Sequence, residues 1–434
     1  ERCGVEFDSS VPPHKTSYPA DGYYLYFSGN ETVKEYAGSH PPAPRGHRVK
    51  GAGLSGVLLF RSLRRAAYLA GARVMTQSSV RRLVVDAESG TVLGAELWGF
   101  PDAFSARRHR LLNQWAERLY YAAPSMSEGL RRRTRAFELS KARPRLVRAR
   151  GGVVVSTGGF IFNREMVARH APRYVKNFRI GTSGCDGSGI MLGNSVGGEP
   201  AYLNRVSTWR FINPPLAWAR GMVVDIRGER FCNEEVYGAR LGQEMCERRG
   251  GHAWLILDST LRREALREAT FGGLWSFQSM PAIVLTFAGA KKAQSIAELA
   301  ARIRAHVPTM LRSWDTYNAA ARGGDDPLGK SRDLRHVLDK PPYYALDISV
   351  GQRGFPCPAI TLGGLRVDET TGGVVNASGV TIPGLYAAGR AAVGIASNQY
   401  VSGLALADCI WSGRRAGRSA SATSASVGSA VTAQ

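Results

Sequence analysis

The segment from Ile382 to Gly417, IPGLYAAGRAAVGIASNQYVSGLALADCIWSGRRAG, constrains the fold more than any other. Pro383-Gly384 turns the chain into a short apolar strand, Leu385-Tyr386-Ala387-Ala388, which Gly389 ends. After a loop, Ser402-Gly403 opens a predicted helix from Leu404 to Gly413, in which Leu404, Leu406, Ile410 and Trp411 recur at roughly helical spacing. A helix N-terminus behind a glycine offers bare backbone N–H groups and a positive dipole end to something electron-rich. Strand, glycine turn and helix in this order predict the ligand-holding edge of an α/β domain.

Two upstream segments carry the same signature. Val153-Val-Val155, closed by Thr157-Gly158-Gly159, is a fully apolar run, as expected of a strand buried on both faces of a parallel sheet. Gly181-Thr-Ser-Gly-Cys-Asp-Gly-Ser-Gly-Ile190 packs glycines tightly ahead of a short helical stretch, Ile190 to Asn194. Ordering so many glycines costs chain entropy, so this loop is read as a site.

With 434 residues and 44% hydrophobic content, the chain is long enough for two or three domains. No apolar run approaches bilayer-spanning length and no signal peptide is visible, so the default expectation is a cytoplasmic protein. Its six cysteines are scattered without C-x-x-C pairs or neighbouring histidines at ligand spacing, so buried reduced thiols and no metal are expected. The formal charge, 57 − 35 = +22, is mostly arginine, clustered at 107–110, 131–135 and 143–150. Basic and aromatic residues do not interleave as in nucleic-acid binders, so no nucleic-acid role is expected. Residues 104–139, with Leu111, Leu112, Trp115, Leu119, Tyr120 and Tyr121 among arginines, predict helices able to lie on a bilayer surface, a peripheral membrane contact.

Taken in order, five pieces resemble the FAD-containing fumarate reductase and 3-ketosteroid dehydrogenase superfamily. They are VVVSTGGF, GTSGCDGSGI, Gly228-Glu-Arg-Phe-Cys-Asn-Glu234, Thr361-Leu-Gly-Gly-Leu365 and Gly384-Leu-Tyr-Ala-Ala-Gly-Arg390. The resemblance implies an α/β fold: a Rossmann-like FAD-binding domain with an inserted α+β substrate-binding cap. It implies FAD as cofactor, held by Thr157, Gly158, Gly159, Asp186, Ala388, Gly389, Arg390, Gly403, Leu404, Ala405 and Leu406. Arg390 departs from the wider superfamily, which usually has glutamate after that Ala-Gly.

One G-x-G-x-x-G exists, Gly51-Ala-Gly-Leu-Ser-Gly56, but the polar, basic Arg45-Gly-His-Arg-Val-Lys50 before it is no buried strand. It is read instead as the entry to a helix, Leu54 to Leu69, with Leu59, Leu63, Ala66 and Ala70 on one face. A hairpin follows, Val80 to Asp86 with Val92 to Leu97, turning at Ser89-Gly90. In the resembled family this helix and hairpin come after the dinucleotide fingerprint, so the FAD domain is expected to be incomplete at its N-terminus. The expected organisation is a loop-rich segment 1–47 touching both domains; the middle FAD-binding part 48–200, with a basic insertion at about 100–147; a cap at 201–352; the C-terminal FAD-binding part 353–418; and a disordered Ser/Ala/Thr/Gly tail, 419–434. In the cap, Ser295-Ile-Ala-Glu298 predicts a capping box.

The chemistry follows from residue types. Dicarboxylate reductases of the superfamily carry a histidine just before the Thr-x-Gly-Gly turn, where this chain has Ile360, so the site reads as apolar. Tyr400-Val-Ser402 resembles the 3-ketosteroid dehydrogenases, especially those acting on the Δ4 bond of 5α-steroids. A phenol and a hydroxyl two residues apart in extended chain point the same way and can bracket a ketone and the acidic carbon beside it. The resemblance implies that Tyr400 polarises the ketone and Ser402 takes the proton, while a second tyrosine, Tyr237, relays it. The expected substrate is a steroid-like ketone, with an external electron acceptor; the alternatives are a reductase of an unsaturated acid and an inactive fragment. The Tyr23, Tyr24, Tyr26 cluster is read chiefly as aromatic packing under a loop.

Overall fold

The computed structural model describes residues 1–36, 38 and 41–431, without the side chains of 425–431. Residues 37, 39 and 40 of the N-terminal segment and 432–434 of the expected tail lie outside it.

The glycine-ended strands form a parallel pair. Leu385, Tyr386 and Ala387 of strand Thr381–Ala387 lie beside Val153, Val154 and Val155, and Gly373–Val375 adds an antiparallel neighbour on the far side. Val153–Val155 is therefore an edge strand among the described residues. The expectation of burial on both faces is corrected: Val155 is buried, but Val153 and Val154 are only half-covered, since no second strand pairs with them there.

The hairpin is Ser78–Val85 with Val92–Gly99, turning through Gly90, and Arg143–Arg148 extends it to a third strand. Between them the basic insertion folds as two helices, Ala103–Leu119 and Pro124–Lys141, joined by a short turn. Asp102 caps the first by accepting from the Ser105 amide, and Pro124 suits the first turn of the second. The helix after the G-x-G-x-x-G runs Gly56–Leu69. None of its residues is buried, so its expected apolar face meets no core among the described residues.

A four-stranded antiparallel sheet, in the order Met222–Val224, Trp254–Leu257, Tyr343–Asp347, Lys291–Ala293, carries the helices of the 201–352 region. Ser259–Phe271, Ile296–Arg302 and Val307–Ala321 pack on it, burying Leu255, Ile256, Leu257, Leu261, Leu299 and Met310. Of the expected capping box on Ile296–Arg302 only one half forms, Ser295 Oγ accepting from the Glu298 amide at 3.2 Å; the Glu298 carboxylate accepts instead from the Gln294 amide, one residue earlier. The Gly228–Glu234 motif places Arg230 and Glu234 in a buried charge cluster: Arg230 grips Glu234 and Asp326 at 2.8 Å, and Lys330 reaches Glu234 at 3.2 Å.

Two expectations are corrected. The last helix runs Leu404–Val431, through the tail expected to be disordered from Ser419. Its small side chains allow close approach: Ala416 and Ala420 pack on Tyr386 and Val154, and Tyr386 Oη lies 3.1 Å from Thr423 Oγ1. All six cysteines are free, but Cys3 and Cys409 are exposed rather than buried.

Candidate active site

The loop from Gly389 to Gly403 is folded by its glycines. Gly389 adopts φ +58°, and a Cβ there would stand 3.0 Å from Cys409 Sγ. A Cβ on Gly394 would strike the Asp408 carboxylate at 2.4 Å. The loop is thereby held against the first turns of the closing helix, and Gly403, at φ +85°, turns it into that helix with open space where a side chain would project.

This arrangement fixes Tyr400 and Ser402. The Ser402 amide donates to the Ser28 carbonyl at 3.0 Å, and its hydroxyl lies 2.8 Å from the Tyr26 hydroxyl. Tyr26 belongs to a two-residue strand, Leu25–Tyr26, paired with Gly46–His47, and its ring covers Gly46 so closely that a Cβ would sit 2.8 Å from it. Glu31 shapes the neighbouring turn by accepting from the Ser28 and Gly29 amides. The Tyr237 amide donates to Asn30 Oδ1 at 2.6 Å, and its hydroxyl accepts from Trp209 Nε1 at 3.0 Å. Trp209 also meets Tyr400 edge-on, with ring centroids 5.2 Å apart.

Three phenols and an alcohol thus gather at one end of a cavity of about 1400 Å³ lined by Tyr26, Tyr237, Tyr400, Ser402, Gly403, Leu404 and Leu406. Leu362 also lines it, and Ile360 packs behind with Trp209 and Tyr237. The expected trio is brought together, and Tyr26, set aside as packing, joins it. No local pattern announces Tyr26 or Trp209, because their partners lie far along the chain.

Burial is the main electrostatic influence here. It pushes the Tyr400 phenol above its ordinary value, the Gly403 amide opposing it. Tyr26 is likewise raised by burial, against the hydrogen bond to Ser402. Tyr237 is driven well up by burial and then by neighbouring Tyr400, with the Trp209 donor pulling the other way. All three phenols therefore stay protonated, able to donate, across the neutral range.

The residues expected to hold a cofactor fall into two groups. Gly403, Leu404 and Leu406 line the cavity, and Ala405 shares their helix turn. Thr157, Gly158, Gly159, Asp186, Ala388, Gly389 and Arg390 are not among the residues that line that cavity; they gather at the ends of the paired strands Val153–Val155 and Thr381–Ala387. There Arg390 donates to Cys185 Sγ at 3.2 Å, close to Gly158 and Gly181, which both have positive φ. Its second terminal nitrogen, Nη1, is buried with no partner among the described residues. A buried donor left free beside bare glycine backbone suits a phosphate or polyol oxygen, so these residues fit FAD. Gly159 and Asp186 also have local tasks: a Cβ on Gly159 would hit Thr361 Oγ1 at 2.3 Å, and Asp186 accepts from the Ser188 amide. Arg390 links the groups, its charge reaching Tyr400.

A family model described as FAD binding domain matches residues 31–406. The chain is 44% identical over 400 residues to the 3-oxo-5-alpha-steroid 4-dehydrogenase of Comamonas testosteroni, covering 90% of this chain and 74% of that one. It is 27% identical over 303 residues to a 3-oxosteroid 1-dehydrogenase of Mycobacterium tuberculosis, covering 61% of this chain and 51% of the relative. In three dimensions it resembles the 3-ketosteroid-delta4-(5alpha)-dehydrogenase of Rhodococcus jostii RHA1, solved with 4-androstene-3,17-dione. That match has TM-score 0.78 and 28% identity, and covers 96% of this chain and 76% of the other.

Proposed function

The chain belongs to the FAD binding domain family, and from that membership we propose that it dehydrogenates a saturated 3-ketosteroid, introducing the double bond beside the ketone. The observation that carries this is the meeting of Tyr400, Ser402, Tyr26 and Tyr237 in one large cavity with an apolar wall. The relatives that match over most of the chain, acting on 3-oxo-5α-steroids, favour the Δ4 position.

When bound, FAD supplies a hydride acceptor at N5, and the reaction balances as one proton and one hydride lost from adjacent carbons. Tyr400, kept protonated by burial, donates to the C3 ketone and so acidifies the hydrogens beside it. Ser402 Oγ accepts a proton from C4 as its own proton moves to Tyr26 across their 2.8 Å contact, and Tyr26 in the same step releases its phenolic proton to solvent in the cavity it lines. Tyr237 flanks this pair and holds its ring against Trp209. An unaided serine is a weak base, so the step depends on this relay and on the dipoles of the closing helix. Leu362 lines the cavity and Ile360 packs behind it, an apolar backing that suits a hydrocarbon ring better than a carboxylate.

The electrons pass to an external acceptor, and a peripheral membrane contact, through which an apolar ketone would be drawn from lipid, belongs to the same reading. Among the described residues no helix is long and apolar enough to cross a membrane.

Two measurements test the proposal. A flavin band in the visible spectrum of the purified protein is expected; its absence supports an inactive fragment. Anaerobic addition of a saturated 3-ketosteroid should bleach that band. Failure to bleach, with oxidation instead of the reduced protein by an unsaturated acid, would reverse the assignment.

A further inference from the structure

One helix near the cavity turns an apolar face to solvent. Ser276–Val284 continues through the wider turn Leu285–Gly289, and Phe277, Met280, Val284 and Phe287 recur along one side of it. All four are exposed, Phe287 at 73%, and Phe271 just before them stands at 83%. Isolated surface phenylalanines need no explanation, but a periodic row of them does.

The charge around this row has one sign. No Asp or Glu occurs between Phe271 and Gln294, while Lys291 and Lys292 follow directly and are exposed. Arg353 is exposed beside Gly354, where a Cβ would lie 3.8 Å from Val284. An apolar stripe rimmed by lysine and arginine matches a helix lying in the surface of an anionic bilayer. A second copy of the chain matches poorly, because the formal charge of +22 opposes self-association.

The stripe also leads to the cavity. Phe277 meets Tyr18 edge-on at 5.8 Å and Trp275 meets it at 6.4 Å, and Tyr18 lines the cavity. Trp275 Nε1 donates to the Pro19 carbonyl at 2.9 Å and Gln278 Nε2 to the Tyr18 carbonyl at 3.1 Å, so the helix start is tied to the cavity wall. The Arg48 guanidinium lies over both the Tyr18 and Trp275 rings. None of residues 103–141, the helical pair that the sequence offers for membrane contact, lines the cavity.

We propose that Ser276–Gly289 is a bilayer-docking face, with Phe271, Met280, Val284 and Phe287 in the lipid interface. The seam of Tyr18, Trp275 and Phe277 is the port through which the apolar ketone leaves the hydrocarbon for the cavity. This rests on the reading of the substrate as apolar, but its binding test uses no substrate.

The full chain is sedimented with vesicles of phosphatidylcholine plus phosphatidylglycerol and with vesicles of phosphatidylcholine alone. Wild type should pellet with the former, and Met280→Ser/Val284→Ser/Phe287→Ser should partition about a hundredfold less, since three apolar anchors are lost. Lys291→Gln/Lys292→Gln should bind less and lose much of its salt dependence, while Trp115→Ser should bind as wild type. These positions are exposed, so the triple variant should turn over cyclodextrin-solubilised ketone normally and lose rate only on ketone dissolved in vesicles. Equal pelleting of wild type and triple variant, or no pelleting of wild type, overturns the proposal. So does sedimentation velocity showing a wild-type dimer that the triple variant dissolves. Wild type that pellets yet turns over no solubilised ketone leaves the docking face standing and removes the proposed reaction.

Discussion

The hydroxyls of Tyr26 and Ser402 lie 2.8 Å apart although 376 residues separate them in the chain. This contact gives Ser402 somewhere to send a proton. Tyr26→Phe keeps the ring that covers Gly46 and removes only the acceptor, so turnover should fall about tenfold, the scale of one hydrogen bond. Flavin absorbance should stay unchanged, and the rate should become more sensitive to added small-molecule bases. Stopped-flow flavin reduction at several buffer concentrations measures both.

Gly46→Ala tests the same contact from the other side. The new methyl would stand 2.8 to 3.0 Å from the Tyr26 ring, inside any ordinary contact distance, so the ring must move away. Turnover should drop by a factor similar to that of Tyr26→Phe, while circular dichroism and melting temperature stay near wild type. Full activity would mean that the ring position does not matter.

Ser402→Ala and Tyr400→Phe should each lower turnover by about a hundredfold or more, the range for losing a positioned acid or base. Burial holds the Tyr400 phenol above its ordinary value of 10.0, so it remains a donor throughout the neutral and mildly alkaline range. Tyr400 should therefore contribute no alkaline loss of turnover below pH 10, a point that a pH profile of flavin reduction checks.

Arg390→Ala should loosen the cofactor without unfolding the chain. The guanidinium keeps one buried nitrogen unpartnered and spends another on a thiol, so little protein structure depends on it. FAD should dissociate about tenfold more readily or worse, read by gel filtration and by fluorescence of released flavin. Unchanged retention would make Arg390 an ordinary structural cation.

Acid stability should depend on Glu234. Burial raises its carboxyl pKa, but Arg230 and then Lys330 outweigh that and hold it at about 2, against an ordinary 4.5. Because the folded value is depressed, the stabilisation is complete above pH 4.5 and is lost as pH falls from there toward 2. Glu234→Gln should remove this dependence and cost about 3–5 kcal/mol at neutral pH, since Lys330 and Arg230 would be left buried with less compensation. Urea denaturation at neutral and acid pH separates the two effects.

Much of this architecture was legible because it is written locally. Val153–Val155 and its Thr-Gly-Gly ending, the Gly90 hairpin and the Ser295 cap each lie within a few residues of the signal that predicts them. Tyr400 and Ser402 were legible because two side chains two residues apart share one face. Tyr26 and Trp209 were not, since their roles come from contacts across the chain that no window of sequence displays. The helical run past Ser419 was hidden by composition: serine, alanine and glycine offer little surface to bury, yet that smallness lets Gly151 and Tyr386 approach its backbone.

The join between the Ser28 carbonyl and the Ser402 amide has a consequence for biosynthesis. A nascent polypeptide still threaded in the ribosome short of residue 402 holds Tyr26 and Tyr237 without the alcohol between them. The proposed proton relay therefore comes together only after residue 402 has been made and its backbone has returned to Ser28.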